Sequence, residues 1–111
     1  MESLSRGDVV VVALQGDLGK PRPALVVQGD LFNDTHPSVS ILPLTSELRN
    51  TPLFRITLEP TVQNGLAKRS QVMVDKSFTV AREKIGSRVG KLETEVLVRV
   101  NRSLMVWLGL P

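Results

Sequence analysis

Cysteine is absent from the 111 residues, which excludes a disulfide framework, a thiolate metal site and a cysteine nucleophile. Histidine occurs once, as His36 within the polar stretch Asn33-Asp34-Thr35-His36-Pro37. No histidine pair is therefore available for acid–base work, and this imidazole reads as a surface group in a loop. Tyrosine is missing too, and the aromatic residues are Phe32, Phe54, Phe78 and Trp107. The acids Asp8, Asp17, Asp30 and Asp34 are scattered and do not form a spaced ligand set, so neither a metal nor another cofactor is expected. No phosphate-binding Gly-x-x-x-x-Gly-Lys loop, His-Glu-x-x-His pair or Gly-x-Ser-x-Gly elbow occurs. The apolar stretch nearest the N-terminus, Val9 to Leu14, is too short for a secretory core or a membrane span. A cytoplasmic protein that does not engage a membrane is expected.

What is present is a chain of single-domain length, read as one unit over residues 1–111. The net charge is +3. Most of the excess falls between Lys68 and Lys91, where Lys68, Arg69, Lys76, Arg82, Lys84, Arg88 and Lys91 face only Asp75 and Glu83. A basic face suits either solvent or a polyanion. Apolar runs of strand length alternate with turn residues: Val9 to Leu14, Ala24 to Gln28, Val39 to Leu44, Phe54 to Leu58, Gln71 to Val74 and Phe78 to Val80. Gly16, Gly19, Gly29, Asn33-Asp34, Asn50-Thr51-Pro52, Asn64-Gly65, Gly86 and Gly90 mark the connections. After Leu92 the period changes. Val96, Val100, Leu104 and Trp107 with Leu108 predict one amphipathic helix over 94–108, with Thr94 as its cap and Gly109 as its stop. A shorter helical turn is expected at Ser46-Glu47-Leu48-Arg49, capped by Ser46. Several strands and one helix make an α+β domain, mainly β, of the small-barrel kind.

Three local features carry chemistry. In Gly19-Lys20-Pro21-Arg22-Pro23-Ala24 an arginine stands between two prolines at the start of a strand, so its planar donors project from a stiffened backbone suited to a phosphoryl group. A proline-stiffened loop with an exposed arginine is the commoner local explanation. Leu42-Pro43-Leu44-Thr45-Ser46 ends a strand in two hydroxyls that can bind an anion or cap a helix. Ser70-Gln71-Val72-Met73-Val74-Asp75 alternates along a strand, so Met73 and Asp75 are expected on one face.

Taken in order, Arg6-Gly7-Asp8-Val9-Val10, Arg22-Pro23-Ala24-Leu25-Val26-Val27, Leu42-Pro43-Leu44-Thr45-Ser46 and Ser70-Gln71-Val72-Met73-Val74-Asp75 closely resemble the blocks of the MazF/PemK/Kid toxins. The resemblance covers nearly the whole chain. It implies an SH3-like barrel of the CcdB/PemK type with a C-terminal helix, a homodimer, and a sequence-selective endoribonuclease from a toxin–antitoxin pair. The implied substrate is single-stranded RNA, mRNA in the cell. The implied protein partner is an acidic antitoxin, through which alone operator DNA is met. By the same resemblance Arg22 matches the family's catalytic arginine, Thr45 its catalytic threonine, and Asp75 an acid implicated in some members. Lys20 and Ser46 are expected to grip phosphate, and Lys68, Arg69 and Lys76 to track the RNA backbone. Family members let the ribose 2′-hydroxyl attack the adjacent phosphorus, leaving a 2′,3′-cyclic phosphate and a 5′-hydroxyl. A guanidinium holds its protons too firmly to be a ready base, so Arg22 is assigned first to charge stabilisation, with acid, or base if strongly perturbed, as its other roles and Asp75 a candidate base or positioner.

The chain departs from its relatives in three places. Many relatives carry a glutamate or histidine where this chain reads Gln15-Gly16-Asp17-Leu18-Gly19-Lys20; some have a basic residue at Met73; and the usual Ile-Arg-Thr-Val reads Ser77-Phe78-Thr79-Val80. Two rival functions remain open at this point. One is a CcdB-like toxin that poisons DNA gyrase without cutting RNA, whose tryptophan–glycine terminus is similar to Trp107-Leu108-Gly109. The other is an inactive SH3-like module that binds nucleic acid through the basic face alone.

Overall fold

Each of the six apolar runs contributes a strand. The computed structural model describes residues 3–13 and 20–111, and over these the strands are β1 (Asp8–Ala13), β2 (Pro21–Val26), β3 (Ser38–Thr45), β4 (Arg55–Leu58), β5 (Ser70–Met73), β6 (Phe78–Ala81) and β7 (Ile85–Lys91). Leu14 and the glycine-marked turn at 16–19 lie outside the described residues. A four-residue helix, α1 (Asp30–Asn33), follows β2, and α2 (Thr94–Leu108) closes the chain. All pairings are antiparallel, in the order β4-β5-β3-β2-β1-β7, with β6 also on β3. The long β3 joins the two parts of the sheet. Its residues 41–43 pair with β2, while on the other edge 38–41 take β6 and 44–45 take β5.

The continuous apolar run in β1 has a simple cause. Val9, Leu25, Leu42 and Leu44 enter one buried cluster, whereas Val10, Val12, Ala24, Val26, Val39 and Ile41 enter another. The central strands β1–β3 are thus apolar on both faces, as a sheet covered on both sides requires. The helix α2 lies against the first cluster through Val100, fully buried, with Val96, Leu97 and Leu104 beside it.

Several expectations need correction. The barrel is not closed by hydrogen bonds, because β4 and β7 end the strand order. The gap between them is spanned by the turn after β4, where Gln63 O accepts the Lys91 amide at 2.8 Å. Asn64 is buried and satisfied inside this corner, donating to Glu59 O and accepting from the amides of Thr61 and Leu66. Gly65 has φ +69°, and a Cβ there would lie 1.9 Å from Val89 O. A Cβ on Gly90 would lie 2.3 Å from Asn64 C. Two backbones therefore meet too closely for side chains, which is why Gly90 sits inside β7 and does not mark a connection. This strand is exposed for most of its length and, among the described residues, pairs with β1 alone, so it lacks the alternation that reveals strands.

The region of Ser46-Glu47-Leu48-Arg49 is not helical. The Thr45 hydroxyl accepts the Glu47 amide at 3.1 Å, and Gln71 binds both the amide and the carbonyl of Arg49. Side-chain bonds have replaced the helical pattern. Thr94 does not cap α2 either. The cap position is Glu93, whose backbone carbonyl accepts the Val96 and Leu97 amides and whose carboxylate accepts the Thr61 hydroxyl. Gly109 does stop the helix, at φ 70°. Asp75 falls in a 3-10 turn, Val74–Lys76, because β5 ends at Met73. The strand alternation expected to place Asp75 beside Met73 is broken there.

Candidate active site

Arg22 is a residue of β2, opposite Val12 of β1. β3 pairs with β2 only at Ala24, Leu25 and Val26. Pro21 and Pro23 therefore stand where the second edge of β2 has no strand beside it, the place a sheet tolerates a missing N–H. Arg22 is exposed at this half-covered end. Across from it β3 ends at Thr45, whose register partner is Gln71.

Between these strand ends lies a cavity of about 440 Å³, lined by Arg22, Pro23, Leu44, Thr45, Ser46, Glu47, Leu66, Ala67, Lys68 and Ser70. Its apolar back comes from Leu44 and Leu66, both buried. The Ser70 hydroxyl donates to Lys68 O at 2.9 Å and ties down the segment that enters β5. The Thr45 oxygen already accepts the Glu47 amide, so its proton remains available for donation into the cavity. Among the described residues of the lining, Arg22 and Lys68 bring two cations and Glu47 a carboxylate. Such an arrangement can hold a phosphoryl group and supply charge-assisted hydrogen bonds to it.

Four of the predicted residues thus meet: Arg22, Thr45, Ser46 and Lys68. Asp75 does not line the cavity. Its carboxylate is 3.9 Å from the Arg55 Nε, with both side chains largely buried. Lys20 precedes β2 and is exposed, and Lys76 is exposed beside Asp75; neither lines the cavity. Arg69 is ion-paired to Glu59 at 2.7 Å and lines a second cavity with Arg49, Arg55 and Arg99. Glu47 was not anticipated as a site residue, because its stretch reads as a helical turn in sequence. Its signal was position: it lies two residues beyond Thr45, in a stretch of hydroxyl and charged residues. The departures at Gln15 to Gly19 lie outside the described residues. Among the described residues no group of three or more His, Cys, Asp or Glu is placed to hold a metal ion, and no helix is long and apolar enough to cross a membrane.

The family model described as "PemK-like, MazF-like toxin of type II toxin-antitoxin system" matches residues 5–108. A probable endoribonuclease MazF of Mycolicibacterium smegmatis is 43% identical over 108 residues, covering 96% of this chain and 98% of the relative. Endoribonuclease EndoA of Bacillus subtilis is 22% identical, with 96% of each chain covered. In fold, the chain is similar to an endoribonuclease from a mycobacterial species solved with its cognate antitoxin, at a TM-score of 0.82 and 23% identity, covering 100% of this chain and 98% of that one. It is similar also to MazF in a MazE–MazF complex of Deinococcus radiodurans, at 0.81 and 23% with both chains fully covered. A family match over nearly the whole length, together with a relative of this identity, places the chain among the PemK-like, MazF-like toxins of type II toxin–antitoxin systems.

Proposed function

We propose that this toxin is an endoribonuclease that cuts single-stranded RNA, mRNA in the cell, by internal transfer and without a metal. The observation that carries the reading is the meeting of Arg22 and Thr45 in one cavity with Lys68 and Ser46. In the reaction the ribose 2′-oxygen bonds to the adjacent phosphorus and the bond to the 5′-oxygen breaks. The 2′-hydroxyl loses a proton to a base and the departing 5′-oxygen gains one. The products are a 2′,3′-cyclic phosphate and a 5′-hydroxyl. Arg22 and the Thr45 hydroxyl stabilise the charge that develops on the phosphorane-like oxygens. Removal of one such donor costs about 10²–10³-fold in rate, so Arg22→Ala is expected to abolish measurable cleavage. Arg22 is exposed, so the folded state should survive the change.

The base is assigned to Glu47, the one carboxylate among the described residues that line the cavity, in preference to Asp75, which lies outside it beside Arg55. Asp75 then acts by holding Arg55 in position. Glu47→Gln is expected to lower kcat by about 10²-fold or more, with RNA affinity kept. If Asp75→Asn loses kcat while Glu47→Gln does not, the base is Asp75.

Lys20 and Lys76, which line neither this cavity nor the second, serve as contacts to the RNA backbone. An acidic antitoxin would cover the same cationic groups, and operator DNA would be met through that antitoxin. The toxin acts in the cytoplasm as a homodimer, for which the exposed Met105, Val106, Trp107, Leu108 and Leu110 around the end of α2 supply apolar surface. Gyrase poisoning has less support. Trp107 packs edge-on against Phe54, with ring centroids 5.2 Å apart, and Gly109 ends a helix, so both have structural roles. The test is incubation of the purified protein with single-stranded RNA in excess chelator. Cut RNA with 2′,3′-cyclic phosphate ends is expected; intact RNA and a trapped gyrase–DNA complex would overturn the proposal.

A further inference from the structure

The second cavity, of about 390 Å³, shares two stretches of chain with the first. Lys68 and Ser70 line the first, whereas Arg69 and Gln71 line the second, as successive residues of an extended chain face opposite ways. Thr45, Ser46 and Glu47 belong to the first, and Leu48, Arg49 and Asn50 to the second. Arginines reach the second cavity from four separate places: Arg49 after β3, Arg55 in β4, Arg69 before β5 and Arg99 in α2. Among the described residues no carboxylate lines it.

This is a built cavity. Gln71 is buried in it, donating to Arg49 O at 3.0 Å and Thr57 Oγ1 at 3.1 Å and accepting the Arg49 amide at 2.9 Å. Arg55 and Thr57 alternate with the core residues Ile56 and Leu58, so both face away from the core, and the Arg55 side chain is only 11% exposed. The acids that balance these arginines stand outside the lining: Glu47 at 3.3 Å from Arg49, Glu59 beside Arg69 and Asp75 beside Arg55. Among the described residues Arg99 has no ion pair. The Arg49 and Arg69 pairs are well exposed, and such pairs are worth only about 0–1 kcal/mol. They give way readily to an anion that accepts two parallel guanidinium bonds.

We propose that this four-arginine cavity binds a phosphate of the RNA strand as it leaves the Arg22–Thr45 cavity. The inference rests on the endoribonuclease reading above. Continuity favours RNA over an acidic protein. The two cavities adjoin along Thr45–Arg49, a stretch that spans at most about 18 Å when fully extended, so a few nucleotides reach both. A peptide carboxylate needs no such continuity.

The test measures binding of single-stranded RNA of about 4 and about 16 nucleotides, the range of site sizes for small barrels, in an Arg22→Ala background that leaves the RNA uncut. Arg49→Gln with Arg99→Gln should weaken binding of the longer strand by about tenfold. The same pair should flatten its log K against log salt slope by about 0.7, the share of one phosphate on a single strand. The shorter strand should lose less. Arg102→Gln, exposed on α2 and outside both cavities, should match the background. Single Arg99→Gln, a surface change on the helix, gives the same direction if the double variant fails to fold. Affinity and slope equal to those of Arg102→Gln would overturn the proposal. So would a loss confined to a synthetic Asp/Glu-rich peptide, which would assign the cavity to a protein partner. Cleavage of the longer strand by the unaltered protein is scored separately. If it does not cut, the endoribonuclease reading fails; if it cuts while the slope is unmoved, only the second site fails.

Discussion

At the residue scale, Gly65 and Gly109 have nearly the same φ, +69° and +70°, yet different surroundings. A Cβ on Gly109 meets nothing within 4 Å, whereas one on Gly65 meets a carbonyl oxygen at 1.9 Å. Left-handed backbone alone costs a residue other than glycine about 1–2 kcal/mol. Gly109→Ala should therefore lose about 1 kcal/mol, and Gly65→Ala about 3 kcal/mol or more because the corner must open as well. Urea unfolding distinguishes the two, and equal losses would mean that the close approach to β7 is relieved at little cost. Asn64 beside it makes the same point through hydrogen bonds. Asn64→Ala strands the Leu66 amide, which is buried, and should cost about 2 kcal/mol or more.

At the element scale, α2 is held by one stripe. Val100 is fully buried in the core beneath it, while Val98 is 41% exposed. Val100→Ala should lower stability by about 2–3 kcal/mol through lost burial and the cavity left behind; Val98→Ala should stay within about 0.5 kcal/mol. A thermal melt of each checks this. Equal effects would place the helix in a different rotation. The same element holds the chain ahead of β4: Ser103 donates to Leu53 O, and Trp107 packs edge-on against Phe54. The loop that precedes β4 is thereby pinned, and with it Arg55.

At the scale of the whole molecule, the sheet is bent so that its central strands are covered on both faces, while the end of α2 keeps apolar side chains in solvent. Sedimentation is expected to show a dimer at micromolar concentration. Met105→Glu, at that exposed end, should shift it towards monomer, because a charge buried at an apolar contact is costly. A wild-type monomer under the same conditions would count against self-association.

The amino-acid order by itself determined the elements whose pattern is local. Six strands and the helix over 94–108 follow from apolar period, and the Gly109 stop from chain chemistry. The ordered blocks around Arg22, Thr45 and Asp75 were enough to reveal the family. Sequence could not reveal β7, because an exposed edge strand with glycines at close backbone contacts has no alternation to read. Nor could it separate Asp75 from Arg22 and Thr45: all three stand in recognisable blocks, but the 3-10 turn after Met73 carries Asp75 away to Arg55. The tertiary structure alone decided that Glu47 shares the first cavity and that four arginines distant in sequence share the second. Convergence of side chains is set by strand register and sheet curvature, which are long-range properties that no local window of residues contains.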